Sequence, residues 1–392
     1  MSFDPAAATA RYIDGLGAEA LATAAAYTTG NHWLLLWGLL VSAVVTLLFV
    51  KLGILDRLDA RLARRGWALR TFLLCAVFML VSALMTLPWD IYSGWWREVA
   101  YGHSSQPLGD YLGQSVIGLP IMTLFGGLFF LAVYALIRRA GKRWWIWSGG
   151  LAAAAITAVL LVSPILIEPL FNEYKPVPEG AVRDALTVQA REAGIAPDRI
   201  FLFDGSRQSN NFTANVSGLG SSARIAISDV AMKGASLDEV KAVTGHEIGH
   251  YVLGHIWRMV VTFSLLAILL FFLADRLFPR VARLFGSSAN LADPRGLPVM
   301  MFILSLFVLV ALPVQNFLVR TGESEADAYS LRTAGLPDAL ASALVKTAEY
   351  RNPRPGAVEE FIFYSHPSVE RRVRAAMDWK AKHDGGTPTP KP

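Results

Sequence analysis

Six stretches of this chain are apolar over a length that crosses, or nearly crosses, about 30 Å of hydrocarbon at 1.5 Å per helical residue. Four of them, 33–50, 71–88, 114–137 and 144–167, contain no Asp, Glu, Lys or Arg. A fifth, 259–274, is shorter and is extended by tilt or by a snorkelling Arg258; the sixth, 297–319, is full length and runs straight into Arg320. Backbone polar groups in lipid must find their partners inside the helix, so runs of this kind dictate a multi-pass helical membrane protein. The 54% hydrophobic and 17% charged composition agrees, being too apolar for an ordinary soluble domain.

The net charge of +5 is a loop bias of the kind membrane proteins carry, and no basic tract is interleaved with aromatics, so no nucleic-acid partner is expected. Cys75 is the single cysteine, which excludes an intrachain disulfide and a cysteine metal site. Residues 1–11 lack the basic region and short apolar core of a cleaved signal, so the first span is expected to serve as its own insertion signal.

The polar residues fall into a definite order. An N-terminal segment, 1–32, precedes a four-span region, 33–167; a polar insert, 168–258, is followed by two spans, 259–319, a C-terminal helical part, 320–382, and a disordered tail, 383–392. Within the insert, 181–193 reads as a helix and 200–203 as a strand, while 222–228 alternates like a half-buried strand and is expected at the sheet edge. Ser236 and Glu239 stand in capping-box relation, which predicts a helix starting near Leu237. After the sixth span a helix over 320–331 is closed by Gly335 and Pro337, and another covers 338–350 with Asp338 as its N-cap.

The helix predicted from Leu237 carries His246, Glu247 and His250, the HExxH pattern. Residues i and i+4 share one helix face, so two imidazoles reach one ion, with Glu247 beside it to take a proton from the attacking water. A catalytic site needs a third protein ligand. His255 is one residue short of the metzincin spacing, which places Ile256 there, whereas glutamate-type zincins use a carboxylate from a later helix. Glu323 and Asp327, at i and i+4 with Glu325 turned away, supply one: Glu323 as ligand and Asp327 as acceptor for the N–H of a ligating histidine. An acidic solvated helix face has the same spacing.

From about residue 71 to 380 the chain resembles the type I CAAX prenyl endopeptidase family of integral-membrane zinc proteases. The likeness lies in ordered blocks: Leu87, Pro88 and Trp89 ahead of Gly102 and His103; Glu168, Pro169 and Asn172 ahead of Pro176; Gly205, Ser206 and Gly218; Arg224 and Asp229; Gly245 through His250 with Gly254 and His255; Arg320, Glu323 and Asp327; and Ser365, His366 and Pro367 with Arg372. The resemblance implies a mainly α fold in which about six membrane helices enclose a chamber, joined to a zincin-like α+β metalloprotease domain. It also implies one Zn2+ ion per chain on His246, His250 and Glu323, Glu247 as base, Asp327 supporting a ligand, and His366 and Arg372 lining the cleft. Taken as residues alone, His366 before Pro367 equally caps a loop, and Arg372 equally faces solvent. Two departures stand out. Phe212 to Asn215 replaces the family's Ser-Asn-Ala-Tyr, and the first span aligns with the family's second, leaving six spans for seven.

The expected activity is hydrolysis of peptide bonds in membrane-associated or lipidated proteins, at the lipid bilayer of a prokaryotic inner membrane. Three other readings share the motif: a quality-control protease without CAAX preference, a non-catalytic zinc-stabilised scaffold, and a lipid hydrolase. Orientation divides the evidence. The basic loops 51–70, 138–143 and 275–296 fall on one side of a six-span chain, and the positive-inside rule makes that side cytoplasmic. The family pattern instead turns the zinc domain to the cytoplasm, and that is the orientation adopted.

Overall fold

The structure, a computed structural model, describes residues 3–347 and 351–383. Asp4 caps α1 (Pro5–Asp14) by accepting the N–H groups of Ala6 and Ala7. After Gly17, at φ 84°, α2 (Ala18–Lys51) runs unbroken for 34 residues. The helix of the first span therefore starts well before residue 33: its Ala-rich beginning favours helix. α3 (Ile54–Arg61) leads into α4 (Trp67–Asp90), which passes through a π-helical turn, Ile91–Trp96, to α5 (Arg97–Ala100).

Among the described residues, five helical stretches are long and apolar enough to cross a membrane, and the third, Leu108–Leu170, is 63 residues long. It comprises two crossings. Gly141, at φ 53°, breaks it into α6 (Leu108–Ala140) and α7 (Trp144–Val162), which pack on each other. The polar insert then supplies α8 (Ala181–Glu192), α9 (Asp229–Gly234) and α10 (Leu237–Val252) around a four-stranded sheet. α11 (His255–Phe285), the fifth span, is 31 residues long and does not need a snorkelling arginine, because Arg258 pairs with Glu325 at 2.7 Å. α12 (Leu297–Ala334) joins the sixth span and the following polar helix into a single 38-residue rod. Arg320 opens the polar part without ending the helix, since its guanidinium leaves the rod to donate to the carbonyls of Glu360 and Phe361.

Three shorter helices follow: α13 (Pro337–Lys346), α14 (Ala357–Phe363) and α15 (Val369–His383). Leu336 rather than Asp338 is the N-cap of α13, because Pro337 occupies the first helical turn, where its missing N–H costs nothing. The end of that helix toward Tyr350 and the tail beyond His383 lie outside the described residues.

The strands β1 (Tyr174–Pro176), β2 (Ile200–Phe203), β3 (Ala214–Ser217) and β4 (Arg224–Ser228) stand in the order β1-β2-β4-β3. β2 and β4 are parallel; the outer pairs are antiparallel. β4 is thus central, and the edge strand beside α10 is β3. The alternation in 222–228 misleads because its polar members are buried too: Arg224 pairs with Glu168 at 2.6 Å, and Ser228 caps α9 through the N–H of Ala231.

The spans have two unlike ends. Lys51, Trp67, Ala140, Trp144, Phe285 and Leu297 mark the basic end, where Arg295 meets Asp56 and Arg138 lies over Trp67. At the other end Arg207 meets Asp110, and Glu168 reaches the sheet through Arg224.

Candidate metal centre

The site is built on α10. Ser236 accepts the N–H of Glu239 while the Glu239 carboxylate accepts that of Ser236, so the predicted capping box forms. Glu239 is itself buried and takes the Lys346 ammonium at 2.8 Å and the Ser342 hydroxyl at 2.7 Å, which docks α13 against the same helix start.

Two turns further on, α10 lies almost on the backbone of α12. A Cβ at Gly249 would come within 3.1 Å of the Tyr329 Cβ and 3.2 Å of the Ala326 Cα, and one at Gly245 within 3.2 Å of the Ser330 hydroxyl. This approach brings Glu323 of α12 under the two histidines, its carboxylate 3.3 Å from Nε2 of His246 and 3.3 Å from Nε2 of His250. The two Nε2 atoms are 3.1 Å apart. Glu323 Oε2 is buried and accepts no hydrogen bond. Two imidazole nitrogens facing each other beside an orphaned carboxylate oxygen, with ligand atoms all within 4.8 Å, form a donor set that fits a metal ion of the zinc type.

The other expected site residues, Asp327, His366, Arg372 and Glu247, lie at this centre. Asp327 Oδ1 is 2.9 Å from Nδ1 of His246, the nitrogen turned away from the ligand cluster. Arg372, on α15, grips both Asp327 oxygens at 2.7 Å and stands 3.6 Å from Glu323, so it is a buried ion-pair partner and not a solvated helix residue. His366 Nε2 is 3.3 Å from the second Glu323 oxygen, and Ser365 Oγ is 3.0 Å from its Nδ1. Burial drives the His366 imidazole down to about 3, against the pull of Glu323, so the ring is neutral. Burial also pushes the Glu247 carboxyl above its ordinary value, opposed by His246 and His250. For His246 burial acts downward, but the neighbouring carboxylates of Asp327 and Glu323 outweigh it and carry the ring up to about 9.

The centre opens on a cleft of about 360 Å³ lined by Glu247, by Phe212, Thr213 and Ala214 at the start of β3, and by Leu340 and Leu344 of α13. Asn215 lies opposite Ala226 within the sheet and does not line the cleft. Sequence reasoning missed two contributors. Gly245 and Gly249, one turn apart, are the signal for the close helix crossing, and His255, set aside as a ligand, touches His250 instead.

Comparison with known proteins accounts for both halves of the chain. Residues 176–380 match peptidase family M48, and residues 7–173 match the CAAX prenyl protease N-terminal family, described as five membrane helices, of which this chain shows four of crossing length. The uncharacterized metalloprotease YhfN of Bacillus subtilis is 27% identical over 305 residues, covering 76% of this chain and 71% of the relative. CAAX prenyl protease 1 of Saccharomyces cerevisiae is 28% identical over 316 residues, covering 75% and 69%. The crystal structure of S. mikatae Ste24p has the same fold, with a TM-score of 0.76 at 22% identity over 93% of this chain and 90% of that one. With the matching segment spanning more than half its length and carrying the HExxH helix, the chain belongs to peptidase family M48 and is a multi-pass membrane metalloendopeptidase.

Proposed function

We propose that the chain holds one Zn2+ ion on His246, His250 and Glu323 and hydrolyses peptide bonds of membrane-associated proteins, lipidated CAAX-type substrates among them, in the cell membrane of a prokaryote. The observation that carries this reading is the position of Glu247. It follows His246 in the HExxH helix and lines the same cleft as His246, His250 and Glu323, whose buried Oε2 accepts no hydrogen bond. A structural zinc site has no use for an open, cleft-facing carboxylate there.

When bound, zinc supplies a Lewis acid that makes water nucleophilic near neutral pH and polarises the scissile carbonyl. Glu247, its affinity for a proton increased by burial, takes the proton of the attacking water and hands it to the departing amine. An extended substrate is held by main-chain hydrogen bonds along β3, the edge strand next to α10, with Leu340 and Leu344 on the far wall. Neutral His366 donates from Nε2 to the developing oxyanion when its Nδ1 accepts a hydrogen bond from the Ser365 hydroxyl. Asp327 and Arg372 hold His246 in the orientation that turns Nε2 to the metal.

A second reading is a quality-control protease without CAAX preference. It is favoured by Phe212, Thr213 and Ala214, which line the cleft where the family's Ser-Asn-Ala-Tyr is expected. The purified protein, assayed for bound zinc and for cleavage of farnesylated and unmodified versions of one peptide, separates the two. Glu247→Ala is expected to keep zinc and lose about 10²–10⁴-fold in rate. Equal cleavage of both peptides points to quality control. Full zinc occupancy with no cleavage of any peptide by the wild type rules for a scaffold, and cleavage of ester lipid alone for a lipid hydrolase.

A further inference from the structure

α10 ends at Val252, and Gly254, at φ 68°, turns the chain directly into α11. The turn folds His255, the first residue of α11, back against the second histidine of the motif. The Nδ1 atoms of His255 and His250 are 2.9 Å apart, with the rings edge to face. His255 is 3% exposed. Its other nitrogen, Nε2, lies 2.8 Å from Glu325 Oε2, out of line for an aligned hydrogen bond but close enough to feel the full charge. Glu325 is anchored in turn by Arg258 at 2.7 Å. α12 leaves room for the arrangement at Gly322, where a Cβ would come 3.0 Å from the Arg258 guanidinium and 3.4 Å from Nδ1 of His255.

Two ring nitrogens 2.9 Å apart share one proton, so one ring must donate and the other accept. A carboxylate only accepts, and beside Nε2 it holds the proton of a neutral His255 on that nitrogen. Nδ1 of His255 is then bare. His250 therefore keeps its own proton on Nδ1 and presents an unprotonated Nε2, the atom 3.3 Å from Glu323. We propose that His255, backed by Glu325, is a positioning residue that fixes the tautomer of His250, as Asp327 does for His246. The pair makes the start of the fifth membrane span part of the metal site. The inference rests on the reading of His250 as a metal ligand.

The test uses the full-length protein in detergent, stripped of metal and titrated with zinc against a fluorescent chelator. His255→Ala is expected to weaken zinc binding about 10–100-fold. His255→Gln, whose amide oxygen accepts from Nδ1 of His250, should retain most of the affinity, and Glu325→Ala should lose part of it. Spectra of the metal-free protein labelled with 15N-histidine should show His250 protonated on Nδ1 in the wild type and on Nε2, or on both in exchange, in His255→Ala. Wild-type affinity in His255→Ala overturns the proposal, as does a His255→Gln variant that falls as far as alanine with the His250 tautomer unchanged. If the alanine variant fails to fold, His255→Gln and Glu325→Ala decide by the same criteria. A wild type that takes up no zinc overturns the metal reading itself and is told apart by that result.

Discussion

Replacing Gly249 by Ala adds one methyl group where α10 meets α12. That methyl would lie 3.1 Å from the Tyr329 Cβ and 3.2 Å from the Ala326 Cα. Carbon atoms pack at about 3.5–4.0 Å, so the helices must part by roughly half an ångström. The tyrosine can yield a little, but the Ala326 Cα is backbone and moves only with α12. The shift falls on the metal site, because His250 follows Gly249 directly and Glu323 is one turn before Ala326. Metal–ligand distances tolerate about 0.2 Å. Overpacking costs about 1–3 kcal/mol, while alanine gains about 1 kcal/mol over glycine in helix propensity. Net destabilisation of the fold is therefore at most about 2 kcal/mol, and the variant should fold yet bind zinc more than about tenfold more weakly. Chelator competition measures the affinity and a thermal melt of the metal-free protein checks the fold. Gly245→Ala should be milder, since it meets the hydroxyl of Ser330, which rotates at the cost of its 2.6 Å bond to the Ala242 carbonyl. A Gly249→Ala protein with wild-type zinc affinity would refute the close-crossing argument.

Three further outcomes are expected. Glu323→Ala should abolish stable zinc uptake, whereas Asp327→Ala should reduce affinity only about 10–100-fold; metal analysis after dialysis in which Asp327→Ala alone is metal-free would reverse the two roles. Because His246 in the metal-free site holds its proton up to about pH 9, that proton must leave before the metal enters. Zinc affinity should thus climb about tenfold per pH unit and level off above that point, and a flat profile between pH 6 and 9 would contradict it. Finally, Ser288 lies at the basic end of the bundle and Ser365 at the zinc end, so single cysteines placed there, with Cys75 replaced by Ala, should react with an impermeant reagent from opposite sides of the membrane. Reaction from one side would count against six crossings.

Much of the site was legible because its chemistry is local. Capping box, HExxH spacing and the Glu323–Asp327 pair are each set within one helix, where i and i+4 have a fixed meaning. What connects one helix to another was harder to read. Nothing in the spacing of His255 reveals that the Gly254 turn folds it back onto His250, and Arg372, placed in the cleft by the family resemblance, has no spacing of its own that foretells its pairing with Asp327. The sheet edge was misassigned because Arg224 and Ser228 imitate a solvent-facing alternation while both are buried. Helix ends were hidden for a related reason. The end of hydrocarbon is marked by charge, whereas the end of a helix is marked by glycine and proline, so α2 and α12 run past the points where their apolar character stops.

The unbroken course of α12 puts a membrane-crossing segment and a residue of the metal site in one helix. Glu323 is ten residues beyond Pro313, the one proline in the interior of that rod, or about 15 Å along the axis. A swing of one degree at the proline carries the carboxylate through about 0.3 Å, already more than a metal–ligand bond absorbs. A change of tilt in the membrane part of α12 that α10 did not share would thus alter the separation of the three donor atoms, because the span that meets lipid and the helix that carries Glu323 are one piece.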